Sequence, residues 1–405
     1  MNVILLSPGF PPELALFTRG LAAQGARVYG VGDQAETHLP RVVRDHLTAY
    51  LHLPGLFDEH GVMEAVRRWV AGVRIDRVES VWEPGVLLAG RLREALGAEG
   101  HTHDELVPFR DKDRMKRVLS DAGIRVPRYA RASTAGACRE AAERIGYPLI
   151  LKPVAGAGSQ DTLRVDDATG LEPALATLRH VPELNVEEFI DGEEYTFDTI
   201  CVNGRIVFEH IAWYRPRPLI ARHVEWITPQ VIGLRNIEAP DVAGGRAMGH
   251  AVLKAMGYRT GFTHMEWFRK PDGEVVFNEI GARPGGGRLV DAMNYIADTD
   301  LFTGWAEAVV HGRFTQPAEL RYNTALMFKR GRGAGQYRQI EGLDSIMARF
   351  GEHIAAIELP RLGSPRGDWR RRLTAEGWLV VRHPVLERLL EIADTIAMDL
   401  QLNAW

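Results

Sequence analysis

From its first residue the chain alternates short apolar runs with amphipathic stretches. "MNVILL" has the look of a strand, "PELALFTRGLAAQG" repeats its apolar residues at helical spacing and closes at Gly25, and "ARVYGVGD" is a second strand. "RVESVWEPGVLLAGRLREALG" continues the alternation. Strands alternating with helices imply a parallel sheet, so residues 1–108 are expected to form a small open α/β domain. "GVGD" at 30–33 lacks a third glycine and an opening helix, and is read as a turn in preference to a dinucleotide fingerprint.

The character changes at "FRDKDRMKRVLSDAGIRVPRY". A charged helix over about 111–121 stops at Gly123, Val126-Pro127 forces an extended exit, and a domain boundary is placed just before the helix. A helix in "AGACREAAERIG" leads to a strand through Leu149 to Lys152 and then to a Gly/Ala-rich loop. Further on, Asn203-Gly204 and Asp272-Gly273 predict two hairpins. With two-residue loops, the first sets Asp198 opposite Glu209. The second sets Lys270 opposite Val275, Phe268 opposite Phe277 and Glu266 opposite Glu279. Near the end, Leu386, Leu389, Leu390, Ile396 and Leu400 recur after Pro384, predicting an amphipathic packing helix.

Composition narrows the chemistry. With 405 residues, 45% hydrophobic and 25% charged, the chain is an ordinary globular one with core for two or three domains. A net charge of -4 supplies no general basic field, so neither nucleic acid nor a membrane is expected as a partner, and phosphate chemistry must be local. Cys138 and Cys201 alone cannot build a disulfide framework or a thiolate metal cluster, which fits a reducing compartment. "MNVILLSPGF" has no charged leader and no run approaches a membrane span; a cytoplasmic location is expected.

Against this background the pair Glu266 and Glu279 needs a reason. Like charges directly across two strands repel, so either both point to solvent or a cation joins them. His264 and Arg283 fall on the same strand face, with Pro284 holding Arg283 extended. Two carboxylates suit Mg²⁺, with Mn²⁺ an alternative, because Mg²⁺ takes one or two protein carboxylates plus phosphates; zinc would want several His or Cys ligands. Lys152 beside Gly156 and Gly158 offers a positive charge and close backbone approach to an anion, or else a plain structural turn. No Gly-Lys-Ser/Thr follows, so this is not a Walker loop. "NVEEFIDGEEYTFD" can offer backbone groups to a planar base and carboxylates to ribose hydroxyls or an amine. Arg215, Arg217, Arg222 and His223 read either as acyl-substrate contacts or as a solvated basic loop.

Five segments in order, "DKDRMKRVLSDAGIRVPRY", "YPLILKP", "VEEFIDGEEYTFD", "THMEWF" and "FNEIGARPGGG", resemble the ATP-grasp enzymes. That superfamily includes D-alanine:D-alanine ligase, biotin carboxylase and the bacterial L-amino-acid ligases. The resemblance implies an α/β (α+β) ATP-grasp fold. Its parts would be an N-terminal open parallel α/β domain at 1–108, an ATP-grasp domain at 109–316 with a lid at about 127–190, and an α+β C-terminal domain at 317–405.

The resemblance also implies roles. Lys112, which Lys116 could replace, and Lys152 would hold nucleotide phosphates under a loop of Gly156, Gly158 and Ser159. Glu187, Glu188 and Ile190 would form the adenine hinge and Glu194 the ribose-binding acid. Glu266 and Glu279 would bind magnesium, and Arg283 would steady the reacting phosphate. Many members carry a further metal-binding Asn where this chain has Gly281, and Asn278 is expected by alternation to face away, which leaves one or two metals open. The implied activity is an ADP-forming ligation in which ATP activates a carboxylate as acyl phosphate and an amine takes it, with an amino acid or small peptide-like molecule as substrate and a homodimer left open. A bicarbonate-activating or purine-pathway type of enzyme, and an ATP-binding sensor without turnover, are the alternatives.

Overall fold

In this computed structural model the described residues are 1–154, 161–369 and 376–405. The first apolar runs form a four-stranded parallel sheet in the order Ala49–His52, Arg27–Gly32, Asn2–Leu6, Arg77–Ser80. Alternation along Asn2–Leu6 explains why helices cover both faces. Val3 and Leu5 join Phe17 and Leu21 of the helix Leu16–Ala23. Ile4 and Leu6 join Val62, Val66, Leu88 and Leu92 of the helices Glu59–Trp69 and Val86–Leu96. Leu16–Ala23 also packs on Leu301–His311 so closely that a Cβ on Gly20 would lie 2.4 Å from the Phe302 carbonyl oxygen.

The largest sheet has eight antiparallel strands, in the order Val275–Gly281, Gly261–Arg269, Glu193–Val202, Arg205–Arg215, Gln230–Leu234, Asn323–Lys329, Gly377–His383, Ile354–Glu358. Strands from both sides of residue 316 share it. One face buries Phe197, Trp267 and Phe277 against Pro240–Ala255. Gly245 makes this possible, since a Cβ there would sit 2.1 Å from the Trp267 ring. The other face carries the candidate site residues and is partly covered by Leu289–Ala297.

A four-stranded antiparallel sheet, Tyr129–Ala132, Leu184–Glu188, Leu149–Pro153, Leu163–Val165, lies across from that face with its own core of Ala142, Ile145, Leu151 and Val186. The chain ends in the helix Leu386–Asp399 and the strand Gln401–Ala404, so Leu400 caps the helix instead of extending it. No helix among the described residues is long and apolar enough to cross a membrane.

The first hairpin keeps its two-residue loop, with Arg205 facing Val202 across Asn203-Gly204, and the second does not. In the first, the register shifts between Ile206 and Phe208, placing Thr199 opposite Glu209 and Asp198 opposite His210. The expected Asp198–Glu209 pair is therefore absent. In the second, Lys270 N–H bonds to Glu274 O and Arg269 faces Val275, so Pro271 joins the loop and Phe268 faces Val276. A bulge at Asn278 then restores the register, and Glu266 does face Glu279.

Candidate active site

A cleft between the two antiparallel sheets is lined by Lys112, Lys152, Glu187, Glu194, Glu266 and Glu279. Lys112 opens the helix Lys112–Asp121, whose N-cap Asp111 accepts from the N–H groups of Asp113 and Arg114. Its Nζ lies 3.2 Å from Glu279 Oε2. Burial raises the Glu279 carboxyl, but Lys112, Lys152 and Arg283 outweigh it and hold the group well below the carboxylate range. The repulsion between the two glutamates is thus relieved inside the protein itself, by a lysine on one of them.

Glu266 is held differently. Its Oε1 lies 3.5 Å from His264 Nε2 and accepts from Tyr214 Oη at 3.4 Å, while its Oε2 accepts from Asn278 Nδ2 at 3.4 Å. His264 Nδ1 is in turn 2.6 Å from Asp198 Oδ1. Burial lowers the His264 ring, yet Asp198 and then Glu266 raise it to about 9. Asn278 corrects the alternation argument: the bulge turns its amide into the cleft, where Oδ1 also accepts from Lys152 at 3.4 Å.

Glu187 belongs to a charge cluster more than to a base-binding edge. Its carboxylate is buried, takes Lys152 Nζ at 2.9 Å on Oε2 and Lys116 Nζ on Oε1. Burial raises it, but Lys116 and Lys152 pull it below the usual range. Lys116 is wholly buried, and burial drives it down to about 7 despite Glu187. It points into this core, whereas Lys112 lines the cleft. The Glu188 carboxylate turns to Arg125 at 3.1 Å and to Arg128.

Arg217, which the sequence offered for an acyl substrate, lies in the cleft instead. Its guanidinium sits 4.6 Å from the Phe268 ring and 5.1 Å from the Phe189 ring. It donates to Ile190 O at 2.9 Å and to Glu194 at 3.3 Å. Burial, followed by the charge of Glu266, lifts Glu194 above the carboxylate range against the pull of Arg217.

Arg283 leaves the strand on the expected face, but its Nε pairs with Glu83 in the 3-10 turn Glu83–Gly85 that follows the strand Arg77–Ser80, and Arg110 also binds that carboxylate. Gly281 makes room for this: a Cβ there would come 3.1 Å from Glu83 Oε2. An Asn at 281 would crowd that pair. Nothing local in "VWEPGV" marks Glu83 as a site residue. Gly156, Gly158 and Ser159 lie outside the described residues.

The donor set suits a hard divalent cation bound to a phosphorylated ligand. Among the described residues no group of three or more His, Cys, Asp or Glu is arranged for a metal. Glu266 and Glu279 would therefore hold Mg²⁺ together with ligand oxygens, as that ion prefers.

Residues 117–287 match the ATP-grasp domain family. An L-arginine-specific L-amino acid ligase of Bacillus subtilis is 27% identical over 229 residues, covering 53% of this chain and 52% of that protein. A D-alanine--D-alanine ligase of Xanthomonas axonopodis pv. citri is 32% identical over 186 residues, covering 43% and 56%. The chain spans about half the length of the curated relatives it matches. Among solved structures, an L-amino acid ligase from Bacillus licheniformis superposes with a TM-score of 0.78 at 20% identity, over 100% of this chain and 98% of that one. A phosphoribosylglycinamide synthetase from Anaerococcus prevotii gives 0.73 at 13%, over 100% and 99%. The fold is the ATP-grasp fold expected from the sequence.

Proposed function

We propose that this chain, whose residues 117–287 form an ATP-grasp domain, is an ADP-forming ligase that activates a small carboxylate with ATP and joins it to an amine. An amino acid or peptide-like molecule is the substrate class, in keeping with the amino-acid ligases among its relatives. The observation that carries this reading is the facing pair Glu266 and Glu279 in one cleft with Lys112 and Lys152. Two carboxylates and two lysines in a partly buried cleft match a metal-bound polyphosphate in charge and in ligand type.

Bound Mg²⁺ supplies charge neutralisation at the phosphates. The chain's own residues do the rest by position. Lys152, steadied by Glu187, presents a fixed positive charge to phosphate. Lys112, paired with Glu279, would turn to a phosphate oxygen once that carboxylate held the ion. Arg283, braced by Glu83, would meet the charge that builds on the transferred phosphoryl group. The substrate carboxylate oxygen bonds to the terminal phosphorus as ADP leaves, and the amine then displaces phosphate from the acyl carbon. Such transfer depends on placement and electrostatics and needs no protein nucleophile. Burial raises the Cys201 thiol to about 11, which suits an inert core residue.

Hydroxylamine tests this directly. With ATP, Mg²⁺ and a panel of amino acids it should yield hydroxamates with ADP and phosphate in step, and Glu266→Gln should abolish them. AMP and pyrophosphate, or bound ATP left uncleaved across the panel, would refute the ligase reading.

A further inference from the structure

The candidate cleft is small for a nucleotide. Its volume is about 90 Å³, where ordinary small-molecule pockets hold about 300–1,000 Å³. Lys112, Lys152, Glu266 and Glu279 line the end that suits phosphates and a metal ion. Ile150 and Phe268 follow Lys152 and Glu266 at even spacing on the same strand faces and, with Ile190 and Leu219, make the other end apolar. A nucleotide with its phosphates at the charged end sets its base and ribose at the apolar one. That place is taken.

Its occupant is Arg217. The guanidinium lies 4.6 Å from the Phe268 ring centroid and 5.1 Å from that of Phe189, its Nη1 donates to Ile190 O at 2.9 Å, and its Nε donates to the Glu194 carboxylate at 3.3 Å. A planar group with several N–H donors, set over aromatic rings and bonded to a main-chain carbonyl and a buried carboxylate, resembles in shape and polarity the base and ribose hydroxyls that the same partners would take. The side chain is only 14% exposed, so it is packed into the cleft and does not wave over its mouth.

Beyond Arg217 there is room. Phe189, Arg217 and Leu219 form a wall shared by the cleft and an open groove of about 1190 Å³, which Asp191 and Glu193 also line. Those carboxylates can receive a guanidinium that turns outward. Only the side chain need move, because the Arg217 carbonyl stays bonded to the N–H groups of Ile220 and Ala221 in the short helix Pro218–Ala221. Nor is Glu194 left as a bare charge. Burial and then Glu266 already raise its carboxyl above the usual range against the pull of Arg217, so it takes a proton when the guanidinium leaves.

We propose that Arg217 is a built-in occupant of the nucleoside seat, which the base and ribose of ATP must displace into the neighbouring groove in order to bind. The assignment rests on the nucleotide part of the ligase reading and adds a control to it: the affinity for nucleotide is lowered by the fraction of chains in which the seat is filled, whereas a ligand of phosphates alone leaves the arginine in place. Titration calorimetry on the full chain would use adenosine, Mg–ADP and Mg–pyrophosphate, alongside NMR of the arginine Nε–H groups. Arg217→Met keeps a stem over Phe268 and lacks the head, so it should bind adenosine and Mg–ADP about fivefold more tightly than wild type, or better, and Mg–pyrophosphate equally. Arg217→Lys, which keeps the charge toward Glu194, should fall between the two. In wild type the Arg217 Nε–H signal, identified by its loss in the variant, should shift on adding adenosine and stay in place with Mg–pyrophosphate. Equal or weaker adenosine binding by Arg217→Met would overturn the proposal and make Arg217 a ligand of the nucleoside, as would a signal unmoved by bound adenosine. Adenosine and Mg–ADP binding to neither chain would overturn the nucleotide reading and the proposal together. Displacement of Arg217 by adenosine without ADP release from ATP on any acid and amine would refute the ligase reading and leave the displacement standing.

Discussion

Replacing Glu187 by Gln tests the charge cluster behind the cleft. The carboxylate is shared by Lys116 and Lys152, and Lys116 has no exposed surface. Removing one partner of a buried pair costs about 3–5 kcal/mol, because the remaining charge is stranded. Lys116 has an escape: it can lose its proton. Burial has already driven it down to about 7, so at pH 9 it is neutral with or without Glu187, and the variant loses a hydrogen bond there but strands no charge. Below pH 7 the wild-type lysine is charged and held by Glu187; without that carboxylate it releases its proton at a lower pH, at about 1.36 kcal/mol for each pH unit of the further fall. The penalty therefore grows as the pH drops from 9 to 6.

Hydrogen exchange of Lys112–Asp121 and Leu184–Glu188, followed by mass spectrometry at both pH values, reads the loss locally. Once corrected for intrinsic rates, exchange in the variant should be faster than wild type by roughly one to two orders of magnitude at pH 6 and by clearly less at pH 9. Lys116→Met should cost less at pH 6, since Glu187 retains Lys152 at 2.9 Å. A penalty under about 1 kcal/mol at pH 6, or one unchanged between the two pH values, would refute the view that Lys116 becomes a stranded charge there.

Glu279→Gln should abolish ADP release and, without nucleotide, lower the melting temperature slightly, by about 1 kcal/mol of stability, because Lys112 loses its partner at 3.2 Å; a more stable variant would mean that glutamate repulsion dominates. His101 is buried, accepts from the Arg259 N–H at 3.0 Å and is lowered to about 4, first by burial and then by Arg259 and Arg93. The unfolded chain therefore binds the extra proton between pH 6.5 and 4, so stability should fall as pH drops through that window, by at most about 3 kcal/mol from this residue. His101→Gln should flatten the upper part of that slope in urea titrations; an unchanged slope refutes the assignment. Gly245→Ala drives a methyl into Trp267 and should cost at least about 1–3 kcal/mol by urea unfolding, with a neutral effect refuting the close packing.

What the sequence disclosed follows from the range over which its signals act. Parallel strands in the amino-terminal part and antiparallel hairpins after residue 190 are written in local periodicity and turn residues, and both are present. The facing of Glu266 and Glu279 was reached through two errors that cancel. Pro271 lengthens the loop by one residue, and the bulge at Asn278 removes the offset. Period-two alternation has no term for a bulge, so the same reasoning turned Asn278 away from a cleft that it lines. Partners far apart in sequence were beyond reach altogether: Glu83 and Arg283 are 200 residues apart, and Lys116 and Glu187 are 71 apart.

Those distant pairs also explain the departure at Gly281. A side chain at that position would meet the Glu83 carboxylate, so the small residue and the brace on Arg283 come together as one arrangement. The bulge then turns a different amide, that of Asn278, toward Glu266 and Lys152. A polar group is thus supplied to the cleft from the strand beside the position where the family pattern would have put one. Restoring Asn at 281 would not by itself restore that pattern, because its Cβ would come 3.1 Å from Glu83 Oε2 and the carboxylate that braces Arg283 must shift to admit it.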